Sequence, residues 1–171
     1  SVDAVMLSGE TAVGQYPIEA VSMMREILTN AENEITDKLS DNISIQIDRD
    51  IRSAIGEAVK LISEHLKVDA VIVMTESGSS SIIVSHYRPN KPIYALTPNM
   101  QICTKLSLVW GVEPILTKKF KSTDEMLVES EKILVKKKYL KFGDTFILTS
   151  GVPVGVTGTT NMLKIHKISI H

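Results

Sequence analysis

Apolar positions recur along this chain with two periods that alternate. Val2 to Leu7 reads as a short buried strand, and Ser8-Gly9-Glu10-Thr11 as the polar turn behind it. Pro17 then opens a helix, where its missing N–H costs least, and Val21, Met24, Ile27, Leu28 and Ile35 follow at helical spacing. Ser40 to Ser44 interrupts the pattern and is the candidate linker. From Asp50 the helical period returns through Ile51, Ile55, Ala58, Val59, Ile62 and Leu66. Ala70 to Met74 is apolar at every position, which fits a central parallel strand covered on both faces. A polar loop, Thr75 to Ser81, leads to a short helix carrying Ile82, Ile83, Val84 and Tyr87. Ile93 to Leu96 is a second strand, and Asn99 to Val109 a helix with Gly111 as its stop. Val112 to Leu116 is a third strand, with Pro114 arguing for an edge or a strand-end position. Ser122 and Glu125, three apart, form a capping box for a helix with Met126, Leu127, Ile133 and Leu134 inward. Thr145 to Thr149 is a fourth strand. After the loop Gly151 to Thr160, Met162 to Ile168 alternates and predicts an antiparallel or edge strand. Strands alternating with helices predict an α/β layer fold with a mostly parallel sheet.

Composition narrows what such a fold is for. Hydrophobic residues are 43% of the 171 and charged residues 23%, a globular balance. Nineteen basic against twenty acidic residues give a formal charge of −1, so no nucleic-acid partner is expected. No apolar run approaches the roughly 20 residues that span a bilayer, so no membrane partner is expected either. The single Cys103 excludes an internal disulfide framework and a cysteine-based zinc site. It suits a reducing compartment, and a cytoplasmic location is expected. The opening, Ser1 to Val5, reads like the inside of a strand, so a piece of a longer polypeptide is expected.

Two loops carry the candidate chemistry. Thr75 to Ser81 leaves the carboxyl end of a central strand and opens a helix, the place where open α/β sheets bind ligands. The helix N-terminus offers unpaired N–H groups to a phosphate, Thr75, Ser77, Ser79, Ser80 and Ser81 add hydroxyls, and Gly78 permits close approach. A serine-rich N-cap that needs no ligand accounts for the same residues. No Gly-Lys-Thr/Ser follows, so this is not a Walker A loop. Gly151 to Thr160 either closes over a ligand in the first loop or merely connects two strands. None of His65, His86, His166 and His171 shows metal-ligand spacing or an evident carboxylate partner, and no catalytic triad or acidic cluster is readable.

The segment Asp3 to Ala12, with Gly14, Tyr16-Pro17, Glu19-Ala20-Val21 and Met24, resembles pyruvate kinase. Further matches follow in order: Thr75-Glu76-Ser77-Gly78, Tyr87-Arg88-Pro89, Pro92-Ile93, Gly111-Val112, Pro114, Gly143-Asp144 and Gly158 to Asn161. The resemblance implies a C-terminal fragment. Residues 1–38 would be the last β/α unit of a (β/α)8 catalytic barrel. Residues 39–171 would be the allosteric domain, a three-layer α/β/α domain with a five-stranded, mostly parallel mixed sheet. The family transfers phosphate from phosphoenolpyruvate to ADP with Mg2+ and K+, whose ligands, with the catalytic lysine, lie on earlier barrel strands. Only Ser8 and Glu10 match the edge of that active site, so the chain alone is expected to be inactive, with no metal site and no cofactor of its own.

The same resemblance implies an effector site at Thr75, Glu76, Ser77, Gly78, Ser79 and Ser80, with Gly155, Thr157 and Gly158 closing over it. Forms activated by fructose 1,6-bisphosphate surround its phosphates with cations and carry a Trp and an Arg on the helix before the fourth strand. Here Met126 stands where that Arg is expected, and Trp110 belongs to another helix. A charge-assisted contact contributes roughly 1.5–3 kcal/mol, so the missing cations favour a singly phosphorylated effector, a sugar monophosphate or AMP. The family is tetrameric, and Ile165, Ile168 and Ile170 on an edge strand fit pairing with a second copy. A purely structural assembly domain is the alternative.

Overall fold

A computed structural model describes residues 2–38, 50–154 and 159–169. The chain divides into two compact units, Ser1–Ile47 and Asp48–His171. The candidate linker, Ile170, His171, Gly155, Thr157 and Gly158 lie outside the described residues.

The first unit holds α1 (Gly9–Ala12) and α2 (Pro17–Lys38). Pro17 is the first residue of α2, as its preset backbone angle and absent donor predict. The expected strand at Val2 to Leu7 does not form: residues 2–8 belong to no strand, and Val2 and Met6 are exposed. A strand exists only by hydrogen bonding to a neighbour, and no strand among the described residues lies beside this one. The polar turn Ser8 to Thr11 is wound into α1, with the Thr11 and Ala12 amides donating to the Ser8 carbonyl at 3.2 and 2.9 Å.

The second unit runs α3 (Ile51–His65), β1 (Ala70–Met74), α4 (Ser79–His86), β2 (Ile93–Thr97), α5 (Met100–Leu106), β3 (Val112–Leu116), α6 (Thr123–Lys136), β4 (Thr145–Gly151) and β5 (Thr160–Lys167). The strands form one five-stranded sheet in the order β3-β2-β1-β4-β5. All neighbours are parallel except β4 and β5. Pro114 sits on edge strand β3, where a missing donor leaves no gap in the ladder.

Burial on both faces explains the unbroken apolar runs. Ala70, Ile72 and Met74 join Leu96, Phe146, Leu148, Met126 and Leu134 in one core cluster. Val71 and Val73 turn the other way and meet Val59, Val84, Ile93 and Ile147. One layer is thus built on α6 and the other on α3 and α4. Asp50 caps α3 by accepting from the Ser53 amide at 2.8 Å. The capping box of α6 is shifted by one residue. The Ser122 hydroxyl accepts from the Glu125 amide at 3.1 Å, but the Glu125 carboxylate reaches the Lys121 amide at 2.7 Å rather than that of Ser122.

Helix α5 is shorter than its apolar pattern predicts. Asn99 caps its start, but past Leu106 the amides of Leu108 and Val109 bond three residues back, to Lys105 and Leu106, and the chain tightens into a turn. Trp110 therefore lies in that turn and not on a helix. The Arg88 guanidinium lies 4.3 Å from its ring centroid.

Gly56 lets α3 approach the Tyr87 ring. A Cβ there would sit 2.5 Å from Tyr87 Cε2, and Tyr87 is itself buried. Helix propensity alone favours Gly56→Ala by about 1 kcal/mol. Overpacking against a ring with no room to retreat costs about 1–3 kcal/mol. The expected net result is a lower urea midpoint for Gly56→Ala, measured by circular dichroism.

Candidate functional site

Strands β1, β2 and β3 step outward in one direction, while β4 is added on the other side of β1. The strand order thus reverses between β1 and β4, and connections leaving their carboxyl ends diverge. Open α/β sheets bind ligands in the crevice this creates. A cleft opens there, with about 590 Å³ of space continuous with solvent. Its walls come from the loop after β1, the segment after β3, the end of β4 and the start of β5.

The loop after β1 is shaped by its own residues. The Thr75 amide bonds to the Leu96 carbonyl at 3.0 Å, continuing the sheet. Its hydroxyl accepts from the Gly78 amide at 2.8 Å and closes the turn. Gly78 is the N-cap of α4 at φ +86°, a left-handed conformation that glycine adopts without Cβ strain. Among the described residues, no side chain caps this helix. Its first-turn amides, on Ser79, Ser80 and Ser81, have no acceptor within the helix because of their position.

Of the predicted effector residues, Thr75, Glu76, Ser77 and Ser80 line the cleft. Gly78 and Ser79 are not among its lining residues, although the Ser79 hydroxyl is 3.0 Å from that of Ser77. The Ser80 hydroxyl contacts that of Thr160, joining α4 to the first residue of β5. At the base of the second loop, Asn161 accepts from the Val152 amide at 2.9 Å and donates to its carbonyl at 2.7 Å.

The sequence singles out neither Thr117 nor Ser150, and both line the cleft. Ser150 is 1% exposed, and its hydroxyl has no hydrogen-bond partner among the described residues; the buried Thr117 hydroxyl is in the same condition. Their position at strand carboxyl ends is the signal that finds them. Lys118 and Lys119 also line the cleft, but they belong neither to the loop after β1 nor to the Met126 position of α6, the two places where the sequence lacks the expected cations. They follow β3, distant in sequence from the loop they face. Lys119 Nζ is 3.2 Å from Glu76 Oε1. Lys118 Nζ is 2.9 Å from Glu125 and 3.6 Å from Glu129. The hydrogen bond with Glu125 raises the Lys118 pKa, and the same bond is the largest cause lowering that of Glu125. The floor is apolar, formed by Met74, Leu96, Phe120 and Met126.

Away from the cleft, His166 has the carboxylate partner that no spacing reveals: its Nε2 is 3.1 Å from Glu131 Oε2, across 35 residues. Ser8 and Glu10 stand at the start of α1 in the other unit. Among the described residues, no group of three His, Cys, Asp or Glu could hold a metal ion.

Residues 53–166 match the protein family described as "Pyruvate kinase, alpha/beta domain". The chain belongs to the pyruvate kinase family. It is 44% identical to a protein named pyruvate kinase from Staphylococcus aureus (strain USA300), over 168 residues covering 97% of this chain. It is 45% identical to another so named from Sporosarcina psychrophila, again over 97% of this chain. The chain spans 28% of the length of each relative. The family match runs from within α3 to within β5 and includes every residue that lines the cleft. No helix among the described residues is long and apolar enough to cross a membrane.

Proposed function

We propose that this chain is the effector-binding and assembly portion of a cytoplasmic pyruvate kinase, a longer enzyme that uses Mg2+ and K+ to transfer phosphate from phosphoenolpyruvate to ADP. The chain by itself does not catalyse that transfer. One observation carries the effector reading: Ser150, whose buried hydroxyl has no partner among the described residues, lines the same cleft as Ser80 of the uncapped first turn of α4. Buried hydroxyls are almost always hydrogen-bonded, and a phosphate oxygen supplies the missing acceptor once the Ser150 side chain turns from its enclosed position into the cleft. The α4 amides and the Ser77 hydroxyl surround the same anion. Beyond the phosphate, the apolar floor suits a sugar or nucleoside better than a second phosphate, so a sugar monophosphate or AMP remains the favoured effector. Gly155, Thr157 and Gly158 would close over it.

Ser80 touches both this site and Thr160, so ordering the phosphate also orders the start of β5. β5 is one of the two edge strands of the sheet, and its Ile165 is exposed. Ile168 is buried in the core and offers nothing to a second copy, which corrects its assignment to the edge. Pairing through Ile165 would let the effector bias the arrangement of subunits by its differential affinity for two states. The assembly-only reading is supported by Glu76, whose carboxylate lines the cleft.

Calorimetric titration with inorganic phosphate, glucose 6-phosphate, AMP and fructose 1,6-bisphosphate separates these readings. Saturable binding of the monophosphates is expected. Bisphosphate binding without monophosphate binding overturns the ligand preference, and no binding by any leaves assembly alone. A coupled assay with phosphoenolpyruvate and ADP is expected to show no turnover by this chain.

A further inference from the structure

The ion pair at the mouth of the cleft is arranged as a competitor for its ligand. Glu76 and Lys119 both line the cleft, and they meet at 3.2 Å. Their side chains are 31% and 63% exposed, so each can turn toward water without disturbing the core. The other cation at the mouth is differently placed. Lys118 is engaged by two carboxylates of α6, Glu125 and Glu129, and Glu125 is itself anchored by the Lys121 amide. Lys119, by contrast, has a partner belonging to the phosphate loop itself.

We infer that Glu76 holds Lys119 in the ligand-free protein, and that a phosphorylated ligand binds by taking Lys119 from it. This rests on the effector reading above and on the Ser150 hydroxyl that supports it. Glu76 is therefore a residue of the site whose removal strengthens binding. In the free protein the Lys119 ammonium is neutralised by Glu76. In the bound protein it faces the phosphate, and the Glu76 carboxylate swings to solvent. The affinity is set by the difference between two ion pairs rather than by one. A dianionic phosphate outcompetes a single carboxylate for the ammonium, whereas a monoanionic group of similar size has little advantage. The exchange thus selects for phosphorylated metabolites over carboxylates and keeps the affinity in a range that ligand concentration can modulate.

A double-mutant cycle distinguishes exchange from simple repulsion. Inorganic phosphate is titrated calorimetrically into the complete 171-residue chain and into Glu76→Gln, Lys119→Gln and the double variant. Exposed ion pairs contribute about 0.4–1 kcal/mol at the upper part of their range, so Glu76→Gln is expected to tighten phosphate binding roughly two- to fivefold. In the Lys119→Gln background the same change is expected to do nothing, because no cation remains to be released. Equal tightening in both backgrounds shows plain repulsion and overturns the exchange. Wild-type binding unaltered by Glu76→Gln also overturns it, while leaving the effector site intact. No phosphate binding by any of the four proteins overturns the site and the exchange together.

Discussion

The Phe146→Ala variant is expected to unfold about 3–5 kcal/mol more easily than the parent. Phe146 is wholly buried on β4, next to β1, and belongs to the cluster beneath α6. Its register partner on β5 is His166, whose ring centroid lies 5.1 Å away, and His166 pairs in turn with Glu131 of α6. Truncation removes the ring's transfer free energy and leaves a hole that close-packed strands cannot collapse to fill. It also loosens the surface against which the His166–Glu131 pair is held. For a unit of this size the thermal midpoint should fall by roughly 10–20 °C, enough to leave a marginal fold. Phe142→Ala is the matched control. Phe142 is 62% exposed, and its loss should change stability by about 0.5 kcal/mol or less. Thermal melts of both variants by circular dichroism check the contrast. Equal effects from the two would mean that the sheet is not the core of this unit.

Ser77→Asp is expected to abolish most phosphate binding without weakening the fold. Ser77 is exposed, lines the cleft and lies one residue before the N-cap of α4. A carboxylate there is attracted by the helix N-terminus and contributes about 0.3–1 kcal/mol of stability. The same charge stands beside the position of the phosphate, where like-charge repulsion of about 2 kcal/mol weakens binding roughly thirtyfold. Stability and affinity therefore move in opposite directions. Melting and calorimetric titration with phosphate measure the two on one sample. Unchanged affinity would place the phosphate elsewhere. A fall in both would mean only that the variant is damaged.

Much of the second unit is legible in its amino-acid pattern. Val71 and Val73 face one layer while Ile72 and Met74 face the other, so an apolar run without alternation is a sound sign of a parallel strand covered twice. Pro114 marks an edge because a proline cannot serve an interior ladder. The strand expected at Val2 to Leu7 fails for the opposite reason. Its pattern suits a strand, but a strand is a relation between two segments, and no partner for it stands among the described residues.

The local periods, the turn at Gly78 and the hydroxyl-rich entry to α4 follow from the order of amino acids alone, because they depend on residues a few positions apart. Folding was needed to bring Ser150 and Thr117 to the same cleft, Lys119 against Glu76, and His166 to Glu131. These partners lie far apart in the chain, 35 residues in the case of His166 and Glu131, and sheet order, not spacing, makes them neighbours. Hydrogen bonds and ion pairs act over a few ångströms of space, and a linear pattern carries no measure of that distance until the strands have paired.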